Sequence, residues 1–566
     1  MKRLFFVFCL IVSFAVLSEA RGKVRYSTPE GLVLAGYQGW FNAPDDGAGL
    51  GWKHYRKDGE FKPGMCSIDL WPDVTEYPKT YPTSFVHADG RPAHVFSSHD
   101  KSVTDTHFRW MQEYGIDGVF MQRFVTSVSY EKGQKNYTEI LFNAVEAAEK
   151  YDRAICVMYD LSGMKPEQVK VLKDDWTALV KKGLLSRKDN HYLHYNGKPL
   201  VAVWGAGFND GRKYGYDEIE DIVDFFIGQG CSVLLGVPAR WRSLSMDTIE
   251  DDRLHKIIEK IDVVHPWYVG RFNYGSYDGF ASVVEEDARW CEEHGKLFMP
   301  VLFPGFSWYN LKDGVAAPLN QIPRMGGKFF WKQVCNSVKV GAKTLYLAMF
   351  DEIDEGTAFF KCTNDVPVGE SPFLSYEGCE PDRYLWLAGQ AAKVLRGEMP
   401  AGPMPEREVL KEKTPVDYVN PYMGNISHLL VPTYPTVHLP NSMLRIYPER
   451  HDFTGDVIKG LPLLVTSHRG KSVFNMSCGT GIPEENRPYY MYHYDNEQIT
   501  PYSYSVYIEE EEVQADFSPS WHSAIYSLKF EKNGQPYVVL SSNNGRIRMN
   551  GNAVEGWQSI EGDTKA

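Results

Sequence analysis

From residue 32 to about residue 396, short β-rich apolar runs alternate with amphipathic helical stretches, and this alternation limits the possible folds more than any other feature of the chain. Eight runs read as strands: Leu32–Phe41, Gly118–Phe124, Ala154–Leu161, Pro199–Gly205, Ser232–Pro238, Val263–Val269, Leu297–Phe303 and Thr344–Phe350. Helices are predicted over Thr104–Tyr114, Glu139–Lys150, Pro166–Lys182, Asp217–Gln229, Ile249–Lys260, Gly279–His294 and Met325–Val340, with Arg383–Arg396 closing the series. Repeated strand–helix units build parallel sheet, and eight of them over this length fit a closed (β/α)8 TIM barrel. A doubly wound open sheet is the competing arrangement. No glycine-rich phosphate fingerprint follows the first strand, which counts against its dinucleotide-binding form.

Residues 397–416 are rich in Pro and charge and read as a linker, so the barrel domain spans 21–396. From Asp417 the texture changes to strand-like pieces such as Leu463–Thr466, Tyr502–Glu509, Ala524–Phe530 and Tyr537–Ser541, separated by Gly, Pro and Asn turns. The expected fold class is therefore α/β, a (β/α)8 barrel followed by an all-β sandwich over 417–566 that shows no obvious closing strand.

Met1–Ala20 has the layout of a secretory signal: Lys2 and Arg3, then the apolar Leu4–Leu17, then Ser18-Glu19-Ala20. Cys9 follows Phe-Val-Phe, not a small-residue lipobox, so a freely secreted or periplasmic protein is expected, with no membrane attachment after cleavage. The formal net charge is −13, and no run of Lys and Arg offers a stripe for a polyanion, so nucleic acid is not expected as a partner. Nine cysteines in 566 residues are too few for a disulfide framework. Cys362 and Cys379 flank one loop and are open to bridging, whereas Cys156, Cys231 and Cys335 sit in apolar segments and read as buried thiols.

Working residues of such a barrel lie at the C-terminal ends of its strands. That rule selects Tyr37, Gln38 and Trp40, Gln122 and Arg123, Tyr159 and Asp160, Trp204, Arg240 and Trp241, then His265, Trp267 and Tyr268, Phe306 and Trp308, and finally the run Asp351-Glu352-Ile353-Asp354-Glu355-Gly356. Aromatics make up 14% of the chain, and a cleft of Trp and Tyr with a few carboxylates and a His suits a sugar, each ring offering an apolar face and a polar tip. Candidate substrate contacts are Gln38, Trp40, Tyr159, Asp160, Trp204, His265, Trp267, Tyr268 and Trp308. His54, His99 and His107 are weaker candidates.

Glu352 and Glu355 are the sharpest pair. In a turn, two carboxylates three residues apart can point the same way, and glycosidic cleavage generally needs one carboxyl group to protonate the leaving oxygen and another as base or nucleophile. The acidic run could equally decorate a helix N-terminus, but its place at the end of the eighth strand favours catalysis. A calcium site is a third reading of the run, although it lacks the alternating Asp/Asn and Gly of a calcium loop, and no other cofactor is expected. HExxH, paired CxxC and GxSxG motifs do not occur.

The opening GLVLAGYQGWF and the terminal MFDEIDEGT resemble the secreted barrel of glycoside hydrolase family 99 and the related family 71 over roughly residues 30–396. That resemblance implies a retaining, endo-acting α-mannosidase or α-mannanase working through the sugar's own 2-hydroxyl, with Glu352 as the base on that hydroxyl and Glu355 as the acid. Here the motif has Ile353 and Asp354 between its glutamates, where family 99 usually has a Trp. VNPYMGNISHLLVPTYPTVHLPNSMLRIYPER, with GLPLLVTSHRG and YDNEQITPYSYSV, resembles the N-terminal β-sandwich of glycoside hydrolase family 92, calcium-dependent exo-α-mannosidases. The catalytic carboxylates of that family lie in a following helical domain, so the sandwich is expected to contact carbohydrate or to be structural. The function expected is a secreted hydrolase of α-mannosides or related α-glycans, against the alternatives of a glycan-binding protein without turnover and of direct attack by Asp160.

Overall fold

The computed structural model describes residues 24–187, 190–312, 318–407, 415–423, 435–448, 450, 455–465, 472–483, 491–560 and 564–565. The signal segment Met1–Ala20, Thr466 and part of the 397–416 stretch lie outside the described residues. The chain forms two compact units, Met1–Glu406 and Arg407–Ala566.

The first unit is a parallel barrel whose strands are Val33–Tyr37, Gly118–Phe124, Ala154–Asp160, Lys198–Trp204, Ser232–Pro238, Val263–Trp267, the split pair Leu297–Phe298 and Val301–Leu302, and Leu345–Leu347. The split seventh strand closes the ring. Its first half pairs with the sixth strand, and its second half pairs with the eighth, which pairs in turn with the first. Pro300 sits at the switch, where its missing N–H costs no ladder bond while its carbonyl accepts from Tyr346 N at 3.1 Å. Every residue of the third and fifth strands is buried, as expected of strands covered by helices outside and packed core inside.

The first strand stops at Tyr37, well short of the expected Phe41, for a reason that matters to the site. The N–H groups of Gln38 and Gly39 leave the ladder and donate to the two carboxylate oxygens of Asp351 at 2.7 and 2.9 Å. The helix expected over Glu139–Lys150 begins at Glu131 and runs to Tyr151, because Asn136 and Tyr137 are buried in a first half that looks polar in sequence. Cys362 and Cys379 are free thiols here and not a bridge, and Cys335 is only half-buried while Cys156 and Cys231 are fully buried. Among the described residues no helix is long and apolar enough to cross a membrane.

The second unit is antiparallel. A five-stranded sheet runs in the order Val457–Lys459, Met491–Ile499, Tyr504–Ile508, Val513–Pro519, Ala524–Phe530, and a three-stranded sheet in the order Leu461–Val465, Ser472–Thr480, Pro536–Ser541. Alternate residues of Tyr504–Ile508 and Val513–Pro519 are buried, the period-two pattern of a sheet with one face in a core. Ile458, Met476, Tyr492, Val506 and Phe517 form that core. Arg450 is ion-paired with Glu497 within it, and Arg450 Nη1 also donates to Tyr494 Oη at 2.6 Å.

Candidate active site

The eighth strand delivers the acidic run into the barrel mouth as a turn, and each carboxyl group is held differently. Asp351, fully buried, accepts the two backbone N–H groups beyond the first strand and so ties strands one and eight together. Glu352 is gripped on both oxygens: Oε1 accepts from Gln38 Nε2 at 2.7 Å and Oε2 from Thr357 Oγ1 at 2.8 Å. Asp354 Oδ2 lies 3.3 Å from His54 Nδ1, while its buried Oδ1 has no protein partner. Glu355 is half-buried, and its carbonyl accepts from Ser307 N at 2.9 Å. Gly356 follows with φ +63°, where an added Cβ would lie 2.9 Å from Ser307 N, so only glycine permits this close approach.

Burial pushes all of these groups toward the protonated form. Desolvation raises Asp351 to about 7, and Glu352 is raised well above the carboxylate range, first by burial and then by the charge of Glu355. Asp354 is raised to about 8 by burial, with Asp69 adding to it. Glu355 is raised to about 7 by burial and by Asp354, against which the Lys312 ammonium acts. Asp160, at the end of the third strand, is raised to about 6 by burial, offset by Arg212. The charge of Asp160 adds to the rise of Glu355. Such a cluster shares protons as a unit and releases them in coupled steps around neutral pH. That is the property an acid–base site requires.

Aromatic rings surround the carboxyls. Trp40 lies flat on His54, centroids 3.8 Å apart and planes 6° from parallel, and meets Phe124 at 5.3 Å. Trp204 meets Trp267 edge-on at 5.3 Å, and Arg212 lies 4.9 Å from the Trp204 ring centroid. Trp308 sits on the loop after the seventh strand, fixed by Asp69: Ser307 Oγ donates to Oδ2 at 2.5 Å, Tyr309 N to the same oxygen at 2.7 Å and Asn310 N to Oδ1 at 2.8 Å. Buried polar atoms without a protein partner recur in these residues: Gln38 Oε1, the indole Nε1 of Trp40, Trp204 and Trp308, and His265 Nε2. Buried polar groups are nearly always satisfied, so these atoms are open to a further hydrogen-bond partner.

His265 belongs to the floor. Its Nδ1 lies 3.0 Å from the Met299 carbonyl, which requires a proton there, and its ring packs edge-on against Tyr346 at 4.4 Å. Burial lowers it to about 4, so the imidazole is neutral and Nε2 is an acceptor. Gln122 Nε2 donates to Tyr346 Oη at 3.0 Å in the same layer. Gly36 leaves the room, since a Cβ on it would fall 2.2 Å from Tyr346 Oη.

Two expected substrate contacts are corrected. Tyr159 and Tyr268 are fully buried in the helix layer, where Tyr159 Oη donates to Asp175 and Tyr268 Oη to Asp287, each at 2.7 Å. Side chains alternate along a strand, so the neighbour of an inward residue faces outward, and Tyr159 beside Asp160 is such a case. Arg123 likewise faces out to Asp175, and Trp241 packs on Trp290. Sequence reasoning gave too little weight to His54 and assigned no role to Thr357, the last residue of the MFDEIDEGT run, or to Lys312 and Arg212, which lie in loops that carry no motif. Among the described residues no group of three or more His, Cys, Asp or Glu is arranged to hold a metal ion.

Comparison with known proteins separates the two units. Residues 418–566 match the glycosyl hydrolase family 92 N-terminal domain. An α-mannosidase of family 92 from Bacteroides thetaiotaomicron is similar to 25% of this chain and 23% of its own, at 19% identity and a TM-score of 0.23. A family 99 endo-α-mannosidase from the same organism is similar over 65% of this chain and 99% of its own, at 13% identity and a TM-score of 0.47. A family 5 mannosidase from Rhizomucor miehei is similar over 53% of this chain and 89% of its own, at 10% identity and a TM-score of 0.33. No curated protein matches the chain. The family-model match covers the second unit of the chain.

Proposed function

We propose that this protein is an exported glycoside hydrolase that cleaves α-mannosides or a closely related α-glycan within the chain, using Glu352 and Glu355 in the barrel mouth. The observation that carries this reading is the cluster at the exit of the eighth strand, where buried carboxyls meet neutral donors in place of cations beneath a rim of indoles. Glu355, half-buried and raised to about 7, holds a proton at mildly acidic pH and gives it to the leaving glycosidic oxygen. Glu352, oriented by Gln38 and Thr357, works as base when the proton the cluster shares rests on Glu355, and its carboxylate then takes the proton of the sugar's 2-hydroxyl as that oxygen closes on the anomeric carbon. Water then opens the anhydrosugar: Glu355 takes the water proton and Glu352 returns its own to the 2-oxygen, so that both end as they began with the configuration retained. The family 99 resemblance of the motif supplies this sequence of steps, and the sandwich is assigned a supporting contact with glycan.

A second reading has an observation behind it. Asp160 stands at the end of the third strand, buried and raised to about 6, and this reading makes it a direct nucleophile with Glu355 as acid. The test is chromatography of sugars released from α-mannans and α-glucans by the wild type and by Glu352→Gln, Glu355→Gln and Asp160→Asn. New oligosaccharides that vanish in the two Glu variants and persist in Asp160→Asn support the first mechanism, and loss in Asp160→Asn with survival in Glu352→Gln supports the second. Retention on a mannan column with no release from any glycan would replace catalysis with binding.

A further inference from the structure

Glu352 and Glu355 are aimed by different means. Both oxygens of Glu352 are gripped by side chains, those of Gln38 and Thr357. Among the described residues no donor bonds to the Glu355 carboxyl, on which the surroundings act through burial and charge alone. Its direction is therefore set through its main chain, and that main chain is held from two sides. Ser307 N donates to the Glu355 carbonyl at 2.9 Å, while Arg324 Nη2 donates to the carbonyls of Gly356 at 2.7 Å and Ala358 at 2.8 Å. Both holds come from one piece of chain, because Phe306 and Ile322 exchange backbone hydrogen bonds at 3.0 and 2.9 Å and so tie the loop of Ser307 to the segment that carries Arg324.

Tying two carbonyls does not require a full charge. Gln333, 1% exposed, does it with a neutral amide, its Nε2 donating to Phe303 O at 2.8 Å and Phe329 O at 3.1 Å. Arg324 is 3% exposed, its acceptors are carbonyls and not carboxylates, and its Nε and Nη1 have no hydrogen-bond partner among the described residues. The guanidinium lies instead 4.5 Å and 5.2 Å from the ring centroids of Tyr384 and Tyr376. A buried cation without a counter-charge lowers stability, whereas charge-assisted hydrogen bonds are about twice as strong as neutral ones, so stability is given up here for a firm hold on one turn. We propose that Arg324 is a positioning residue that fixes the turn over 355–358 and thereby aims Glu355 at the leaving oxygen. The hold extends to Glu352, since Thr357 stands between the two carbonyls that Arg324 grips and its Oγ1 donates to Glu352 Oε2. This inference rests on the proposed role of Glu355 as the acid.

The test uses Arg324→Gln and Arg324→Lys in the full-length protein, with folding checked by calorimetry. Hydrogen exchange read by mass spectrometry compares a peptide over 350–360 with one over the third strand, Ala154–Asp160. In Arg324→Gln the turn is expected to exchange about tenfold faster or more, with the strand unmoved. On aryl α-manno-oligosaccharides, kcat should fall by ~10- to 10²-fold for a poor leaving group and by less for a good one, which needs no proton, while KM holds. Arg324→Lys keeps the charge and should recover part of both effects. A merely structural tie would lower the unfolding temperature and leave the ratio between leaving groups as in the wild type. Turn exchange unchanged in folded Arg324→Gln, or an equal loss of kcat for both leaving groups, overturns the proposal. If the wild type hydrolyses nothing, faster exchange confined to the turn supports the hold by Arg324, and the hydrolase reading alone fails. If Arg324→Gln does not fold, the same readings are taken on Arg324→Lys, where a smaller change in the same direction is expected and no change overturns the proposal.

Discussion

The barrel buries two kinds of carboxylate, and the contrast between them separates scaffold from site. Outside the strands, Asp175 accepts from Arg123 Nε at 2.8 Å, Arg123 Nη2 at 2.6 Å and Tyr159 Oη, while Asp287 accepts from Arg242 Nε at 3.0 Å and Tyr268 Oη. Inside the mouth, Asp351 and Glu352 are as deeply buried but meet only amide and hydroxyl donors. A buried carboxylate with an arginine partner is held in an ion pair, and burial still raises Asp287 to about 6 beside Arg242. A buried carboxyl with neutral donors keeps a mobile proton, and a fold that tolerates several of them at one strand end has been shaped by something other than stability.

The largest expected effect falls on activity. Glu355→Gln should lower kcat by about 10²- to 10⁴-fold with unfolding temperature at pH 5 unchanged, measured by product release and calorimetry. The reverse pattern is expected outside the barrel: Arg123→Ala leaves Asp175 charged and buried, costing about 3–5 kcal/mol by urea unfolding while each folded molecule keeps its turnover. If both substitutions act alike, the contrast between the two groups fails.

The pH dependence of stability sharpens the contrast. Folded values lie above the unfolded ones, so the folded mouth binds protons that the unfolded chain has released. Its contribution is full below pH ~4 and is lost as pH rises through about 6 for Asp160, about 7 for Asp351 and Glu355, and about 8 for Asp354. Urea midpoints of the barrel should therefore fall between pH 5 and pH 8, by on the order of a few kcal/mol, and by less in Glu355→Gln. The smallest effect is a paired one. Tyr268→Phe should cost about 1 kcal/mol of stability and leave KM alone, whereas Trp267→Ala, beside the mouth, should raise KM.

The barrel was legible because strand runs such as Gly118–Phe124 and Ser232–Pro238 are mostly apolar and bounded by helical periodicity, and both have the bounds expected of them. The acidic turn was legible because its residues are contiguous. Inward and outward aim was not, since Tyr159 and Asp160 are neighbours in sequence and opposite in direction. Nor was the contact of His54 with Asp354, because His54 comes from the first loop, 300 residues away. In the sandwich, Val513–Pro519 escaped notice because only alternate residues are apolar and its outward Gln514, Asp516 and Ser518 read as loop.

The central claim is that Glu355 is the acid of a glycosidic cleavage, and leaving-group dependence tests it most directly. Aryl α-manno-oligosaccharides with good and poor leaving groups are hydrolysed by wild type and Glu355→Gln, and kcat/KM is compared. The predicted result is a loss of ~10²-fold or more for the poor leaving group that shrinks toward wild type for the good one, which departs without a proton. An equal loss for both, or none for either, would contradict the role given to Glu355.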